Sequence, residues 1–315
     1  MANSRPLGAS GLTIAPLVLG GNVFGWTADR TASFAILDAF VAGGGTMIDT
    51  ADVYSAWVDG HVGGESETVI GEWLRHSGRR DDVLIATKVG MLPGPDGTGL
   101  HPARIAAAVD ASLQRLGTDR IDLYYAHRDD PDIPLADSLG AFDALVRAGK
   151  VRALGASNFT GARLEEAAAT TFTGGLTPFT VVQPHYNLLE RTAFERDLLP
   201  VIRHRTLGVL PYYGLASGFL TGKYRRSEDL TGPRGSGAGQ YLDARGLSVL
   251  GALDMVAARH DARPAQVALA WLMAKPGVTA PIASASRPEQ MADLIAAMHL
   301  SLTTEDIAAL DAAGR

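Results

Sequence analysis

Apolar residues in this chain recur at two spacings that alternate from one end to the other. After Asp29, the positions Phe34, Leu37, Ala39 and Val41 fall near the 3.6-residue period of a helix over Thr31–Ala42, and Gly43-Gly44-Gly45 ends it. A β-type run, Thr46-Met47-Ile48, leads to Asp49, and Val69, Ile70, Trp73 and Leu74 then mark an amphipathic helix over Glu65–Arg75. Further helices are predicted near 102–116, 135–148, 161–171 and 190–204. Between them lie short apolar runs: Val83–Ala86, Ile121–Ala126, Val151–Gly155, Thr180–Gln183 and Leu207–Leu210. Leu17-Val18-Leu19 precedes this series, and Val278–Ile282 closes it as the eighth strand. Several of the runs are almost wholly apolar, as strands covered on both faces must be. Repeated strand–helix alternation predicts a parallel sheet, and eight units are enough to close it into a (β/α)8 barrel, an α/β TIM-barrel fold.

Two segments stand outside the alternation. Arg5 to Pro16 holds Gly8-Ala9-Ser10-Gly11 between short β-type pieces, which predicts a hairpin before the first barrel strand. Residues 222–240 contain Gly222, Gly232, Pro233, Gly235, Gly237 and Gly239 among many charges. They read as a mobile excursion, and their place beyond the C-terminal end of the seventh strand makes them a candidate lid. No linker interrupts the pattern, so residues 1–315 are expected to form one barrel domain.

Composition narrows the chemistry. The formal charge of −6 argues against nucleic acid as a partner. The chain has no cysteine, which excludes disulfides and thiolate metal sites. Met1 to Ser10 carries no apolar stretch of the signal-peptide kind, and no run approaches the ~20 apolar residues of a membrane span. A cytoplasmic protein with no membrane partner is the expectation. The helix faces show no apolar patch distinguishable from core, so the sequence assigns no oligomeric state.

Four polar residues, Asp49, Tyr54, Lys88 and His127, sit at or just past the C-terminal ends of consecutive strand runs, roughly 35 to 40 residues apart. A barrel brings such ends together at one mouth. Singly, each has a bland reading: a loop cap, a packed aromatic, a solvated lysine, a satisfied histidine. Their joint placement points to chemistry. An ammonium next to a phenol lowers the phenol's pKa from about 10, so Lys88 is expected to tune Tyr54 downward. Asp49 would supply the anion a buried Lys88 needs. His127 would donate a hydrogen bond to a substrate oxygen. This set suits carbonyl reduction, and since none of the four carries a hydride, a nicotinamide cofactor must. The histidines show no HExxH or close pairing, so no metal site is expected, and there is neither a GxSxG elbow nor a Rossmann GxGxxG.

The same residues carry a resemblance. Asp49-Thr50-Ala51-Asp52-Val53-Tyr54, Thr87-Lys88, Asp122 to His127, Gly155-Ala156-Ser157-Asn158-Phe159 and Gln183-Pro184-His185-Tyr186-Asn187 follow in the order found in aldo-keto reductases. The chain resembles that family over nearly its whole length. The resemblance implies NADPH-dependent reduction of aldehydes or ketones with Tyr54 as the acid, and a hairpin closing the barrel bottom. It also implies that Ser157, Asn158 and Gln183 hold the nicotinamide carboxamide, that Tyr212 stacks on the ring, and that Leu215 and Ser217 approach the pyrophosphate. Ser284, Ser286 and Gln290 fall in the adenosine-phosphate segment, where Arg287 is assigned to the 2′-phosphate because a guanidinium matches phosphate in charge and shape. Phe24 and Trp57 are expected in the substrate wall. Tyr213-Gly214 replaces the family's common Ser-Pro, and Leu294 stands where many members place an asparagine against adenine. The family also includes channel-associated β subunits, so a cofactor-binding regulatory protein with little turnover is the alternative.

Overall fold

A computed structural model describes residues 4–314; Met1–Asn3 and Arg315, the outermost residues of the expected domain, lie outside the described part. The chain opens with β1 (Arg5–Pro6) and β2 (Thr13–Ile14), an antiparallel hairpin, and continues with β3 (Val18–Gly20). Strand and helix then alternate: α1 (Arg30–Ala42), β4 (Met47–Asp49), α2 (Glu65–Ser77), β5 (Leu84–Val89), α3 (Pro102–Leu116) and β6 (Ile121–Ala126). After these come α4 (Leu135–Arg147), β7 (Val151–Ser157), α5 (Gly161–Gly174), β8 (Phe179–Gln183), α6 (Leu199–Arg205) and β9 (Gly208–Val209). The last part holds the short α7 (Gly235–Gly239), then α8 (Ala244–Arg259), α9 (Pro264–Ala274), β10 (Ile282–Ala283), α10 (Gln290–Ala297) and α11 (Thr304–Ala313). Among the described residues no helix is long and apolar enough to cross a membrane.

Strands β3 to β10 form one parallel sheet in the order β10-β3-β4-β5-β6-β7-β8-β9. The two edges of that order meet, because Thr279 N donates to Val209 O at 2.9 Å and Ile282 N to Pro211 O at 2.9 Å. The expected (β/α)8 barrel is what the chain builds. Its side chains alternate as a pleated strand requires. Ile48, Ile85, Tyr124, Leu154 and Val182 face the helices in the large outer core. Met47, Ala86, Leu123, Tyr125, Ala153 and Val181 face inward and form a second core, joined by Leu7, Leu12 and Ile14 of the hairpin. The hairpin therefore plugs the barrel at the end where the strands begin. Arg5 fixes it there by donating to Met273 O at 3.0 Å and Thr279 O at 2.9 Å.

Four elements differ from the sequence expectation. The helix expected over 190–204 begins in regular α form at Leu199, after a π turn over Phe194–Leu198. Asn187 holds the preceding chain in a turn, its Oδ1 accepting from Leu189 N at 2.8 Å and Glu190 N at 3.0 Å. The eighth strand pairs with β3 over Ile282–Ala283 and not from Val278, since Pro281 has no N–H to donate. Thr279 and Ala280 lie against β9 instead, both donating to Val209 O. Finally, α8 and α9 follow the glycine-rich excursion. The core of α9, Val267 to Leu272, is buried on every side, so no amphipathic stripe marks it in the sequence.

The seam between α2 and α3 depends on a missing side chain. A Cβ on Gly71 would lie 2.1 Å from Arg115 O, which is backbone and cannot swing away. Gly71→Ala, normally worth up to about 1 kcal/mol of helix propensity, is expected to destabilise the protein by roughly 1–3 kcal/mol through overpacking. Urea unfolding of the variant and the parent measures this, and a gain in stability would refute the packing account.

Candidate active site

Along five of the barrel strands the inward-facing positions change from apolar to polar as the chain approaches the mouth. Met47 is followed by Asp49, Ala86 by Lys88, Tyr125 by His127, Gly155 by Ser157, and Val181 by Gln183. The period of two therefore collects five polar side chains in one layer. Tyr125 fills the barrel axis directly beneath, and Gly155 makes room for it, since a Cβ there would lie 2.4 Å from the Tyr125 ring.

Lys88 is the centre of this layer. Its side chain is fully buried, and Nζ donates to Asp49 Oδ2 at 2.6 Å, Thr50 O at 2.7 Å and Tyr54 Oη at 3.2 Å. An ammonium has three N–H groups, so each has an acceptor. Gln183 Nε2 donates to the other Asp49 oxygen at 2.8 Å. Burial alone would lower the Lys88 pKa, but the Asp49 charge and Tyr54 more than offset it and hold Lys88 above the usual lysine value. Burial pushes the Asp49 carboxyl up while Lys88 and Gln183 pull it back. The 2.6 Å contact and the amide donor are the geometry of an ammonium–carboxylate pair, and Asp49 is read as ionised on that basis.

The expected downward tuning of Tyr54 is not the net result. Burial raises its pKa; Lys88 lowers it and Asp49 raises it again, leaving the phenol above its usual value. Burial is the largest of these effects, so the phenol keeps its proton near neutral pH. The His127 ring packs edge-on to Tyr54 with centroids 5.9 Å apart. Its pKa is held well below 6.5 by burial and by the charges of Lys88 and Arg128, so the ring is neutral.

A cleft of about 1560 Å³ opens above this layer and runs toward β10. At its inner end Asn158 Nδ2 donates to His127 O at 2.9 Å, and Tyr212 Oη donates to Asn158 Oδ1 at 2.7 Å. Ser157 Oγ donates to Gln183 O at 2.9 Å, and the Tyr212 ring stacks on His185. Leu215 and Ser217 line the middle of the cleft; Ser284, Ser286, Arg287 and Gln290 line the far end. There Gln290 Oε1 accepts from Ser286 N at 2.8 Å, while Ser284 Oγ donates to Asn22 Oδ1 at 2.7 Å. Leu294 is buried on the same wall. Non-glycine residues with left-handed backbone gather here: Asn158 (φ 56°), Tyr213 (φ 55°), Ala216 (φ 47°) and Ser217 (φ 56°). Such conformations cost on the order of 1 kcal/mol each and concentrate where structure serves a site.

Phe24 does not reach the cleft. It is fully buried in the outer core, and the wall position passes to Trp26, which meets the half-exposed Trp57 at 5.6 Å. The excursion over 222–240 supplies Lys223, Tyr224, Thr231, Gly232, Pro233 and Arg234 to the cleft, with the Arg234 guanidinium 5.1 Å above the Trp26 ring. Arg263, paired with Asp293 at 2.8 Å, also lines it. Lone lysines and arginines in loops and at helix starts gave no periodic signal by which the sequence reading could have found them.

Comparison with known proteins places these residues in context. The model of the "Aldo/keto reductase family" matches residues 16–315. The uncharacterized oxidoreductase YrpG of Bacillus subtilis is 37% identical over 95% of this chain and 92% of its own. Norsolorinic acid reductase B of Aspergillus parasiticus is 34% identical over 96% of this chain and 81% of its own. A putative voltage-gated potassium channel subunit beta of Schizosaccharomyces pombe is 34% identical over 98% of this chain and 92% of its own.

Beneath the mouth lies a charged cluster that the sequence reading passed over. Asp52, two residues before Tyr54, is fully buried, and the nearest cation is Arg104 Nη2 at 3.5 Å. Neither Asp52 oxygen has a hydrogen bond among the described residues. Beside it Glu67 is well paired, to Arg115 at 2.6 Å and to Thr87 Oγ1 at 2.6 Å. Burial first, and the Glu67 charge second, push Asp52 up to about 7 against the pull of Arg104 and Arg115. In an unfolded chain the same carboxyl titrates near 3.9. Between about pH 4 and about 7 the folded state therefore holds the extra proton, and stability falls as pH rises through that window. Asp52→Asn is expected to match the parent near pH 5 and exceed it above pH 8, by up to roughly 3 kcal/mol, the worth of the two pH units between 5 and the folded pKa of about 7 at 1.36 kcal/mol per unit. Urea unfolding at both pH values reads the difference, and parallel pH profiles for the two proteins would refute it.

Proposed function

The chain belongs to the aldo/keto reductase family and is an oxidoreductase; from that premise we propose that it reduces aldehydes or ketones to alcohols with NADPH. The observation that carries this reading is Lys88 joining Asp49 to Tyr54 at the floor of the cleft. The donors along the cleft suit a long anionic dinucleotide. Amide and hydroxyl groups of Ser157, Asn158 and Gln183 lie at the inner end, and Lys223, Arg234, Arg263 and Arg287 add positive charge further out, where Asp293 is already bonded to Arg263. In this reading Ser157, Asn158 and Gln183 hold the carboxamide, Tyr212 covers the ring, Leu215 and Ser217 flank the pyrophosphate, and Ser284, Ser286, Arg287 and Gln290 take the adenosine phosphate.

The bound nicotinamide supplies the hydride. Tyr54, kept protonated by burial, gives its proton to the carbonyl oxygen as the carbon is reduced. The phenolate left behind sits 3.2 Å from the Lys88 ammonium, which stabilises the new charge. The neutral His127 ring orients the oxygen. Asp49 keeps Lys88 charged and in place through both partners it binds. A regulatory role of the kind named for the fission-yeast relative is the second reading. The intact hydrogen-bond chain at the cleft floor favours turnover.

Loss of NADPH absorbance with aromatic and aliphatic aldehydes and ketones is the direct test; tight binding without turnover would select the regulatory reading. Tyr54→Phe is expected to lower kcat by about 10²–10⁴ with the NADPH Kd within about twofold, measured by cofactor fluorescence, and unchanged kcat would overturn the acid assignment. Arg287→Ala is expected to weaken NADPH by roughly 10–100-fold, the worth of a charge-assisted contact, and NADH hardly at all. Equal losses for the two cofactors would remove the phosphate role.

A further inference from the structure

The substrate end of the cleft has a composition of its own. Four aromatic rings run in a row: Trp26 to Trp57 at 5.6 Å, Trp57 to Tyr54 at 5.6 Å, and Tyr54 to His127 at 5.9 Å, each pair edge-to-face. Trp57, Met91 and Tyr213 are large apolar groups left exposed, and all three line the cleft. Apolar surface turned inward to a concave site marks a place for an apolar ligand more than solvated surface does.

Arg128 stands at the end of that row. It is exposed, lines the cleft, and makes no ion pair or side-chain hydrogen bond among the described residues. The acids next to it are occupied elsewhere. Asp129 accepts from Arg163 at 2.9 Å, and Asp130 accepts from Leu100 N at 2.8 Å and Asp132 N at 3.2 Å. Arg128 is also close enough for its charge to depress the His127 titration. A guanidinium with no partner, beside the ring that faces the carbonyl, is the group that recognises a planar anion.

We propose that this site selects carbonyl compounds bearing a flat aromatic ring and, across that ring from the carbonyl, a negatively charged group bound by Arg128. The inference rests on the reductase reading and adds the substrate class to it. Trp57 and Trp26 cover the ring, Tyr54 and His127 meet the carbonyl oxygen, and Arg128 fixes which end of the molecule enters first. Arg234, already over the Trp26 face, closes the outer side of the wall. Uncharged aryl aldehydes fit the aromatic wall and lose only the anchoring contact.

The experiment compares 4-carboxybenzaldehyde with methyl 4-formylbenzoate, in the parent and in Arg128→Met, which keeps most of the side-chain length and removes the charge. The parent is expected to favour the carboxylate in kcat/KM by at least about tenfold, and the variant to lose that preference while the ester stays within about twofold. Equal effects on both aldehydes, or no preference in the parent, overturn the proposal and leave the reductase reading standing. If neither aldehyde is reduced, the wider panel of aldehydes and ketones decides the reductase reading, and terephthalate decides the anion site by quenching the tryptophan fluorescence of Trp26 and Trp57. Binding at least about tenfold weaker in Arg128→Met supports the site. Equal binding in both proteins, or none, overturns it. NADPH binding by the variant, followed by cofactor fluorescence, verifies that the cleft is intact.

Discussion

The mouth of this barrel is organised by one buried ammonium. Lys88 has no water to solvate it, so its charge must be met by fixed acceptors, and three groups from the β4–α2 region do so. Removing a partner from such a group is costly because the remaining charge stays buried. This requirement ties the C-terminal end of β5 to Asp49, to the Thr50 carbonyl and to the Tyr54 hydroxyl. Through Asp49 it reaches Gln183 on β8, across the barrel. The position of the phenol is therefore a consequence of satisfying a charge.

The barrel makes that arrangement possible by parity. Inward positions below the mouth are apolar and filled, with the hairpin plugging the bottom and Tyr125 occupying the axis. At the mouth the same parity delivers Asp49, Lys88, His127, Ser157 and Gln183. A rigid, dry floor holds the polar layer from beneath, so its members can neither sink nor hydrate from that side. Above it the backbone departs from relaxed geometry at Asn158, Tyr213, Ala216 and Ser217, around the Tyr212 ring stacked on His185.

Charge balance around Tyr54 is layered. Burial is the largest influence on the phenol, with Lys88 pulling its pKa down and Asp49 pushing it up. Two further acids, Asp52 and Glu67, and two arginines, Arg104 and Arg115, lie behind the loop that carries Tyr54. Glu67 takes the good hydrogen bonds there, and Asp52 is left with a 3.5 Å neighbour. The consequence is one carboxyl next to the site that prefers to be neutral, although Glu67, Arg104 and Arg115 share its surroundings.

The sequence by itself determined the alternation of strand and helix, the hairpin, the barrel, and which strand ends carry polar residues. Each of these follows from periodicities of 2 and 3.6 and from glycine and proline positions, which are local properties. The family resemblance rests on the same residues. Tertiary structure decided what local pattern cannot hold. It placed Phe24 in the core and gave the wall to Trp26, a choice between two aromatics that only the packing of the loop makes. It reversed the sign of the shift at Tyr54, because Asp49 and burial act on the phenol through space along with Lys88. It also assembled Asp52, Glu67, Arg104 and Arg115 from three separate segments and left Arg128 without a partner beside His127 among the described residues. Electrostatics and shape depend on distance in space, and the chain order does not encode it.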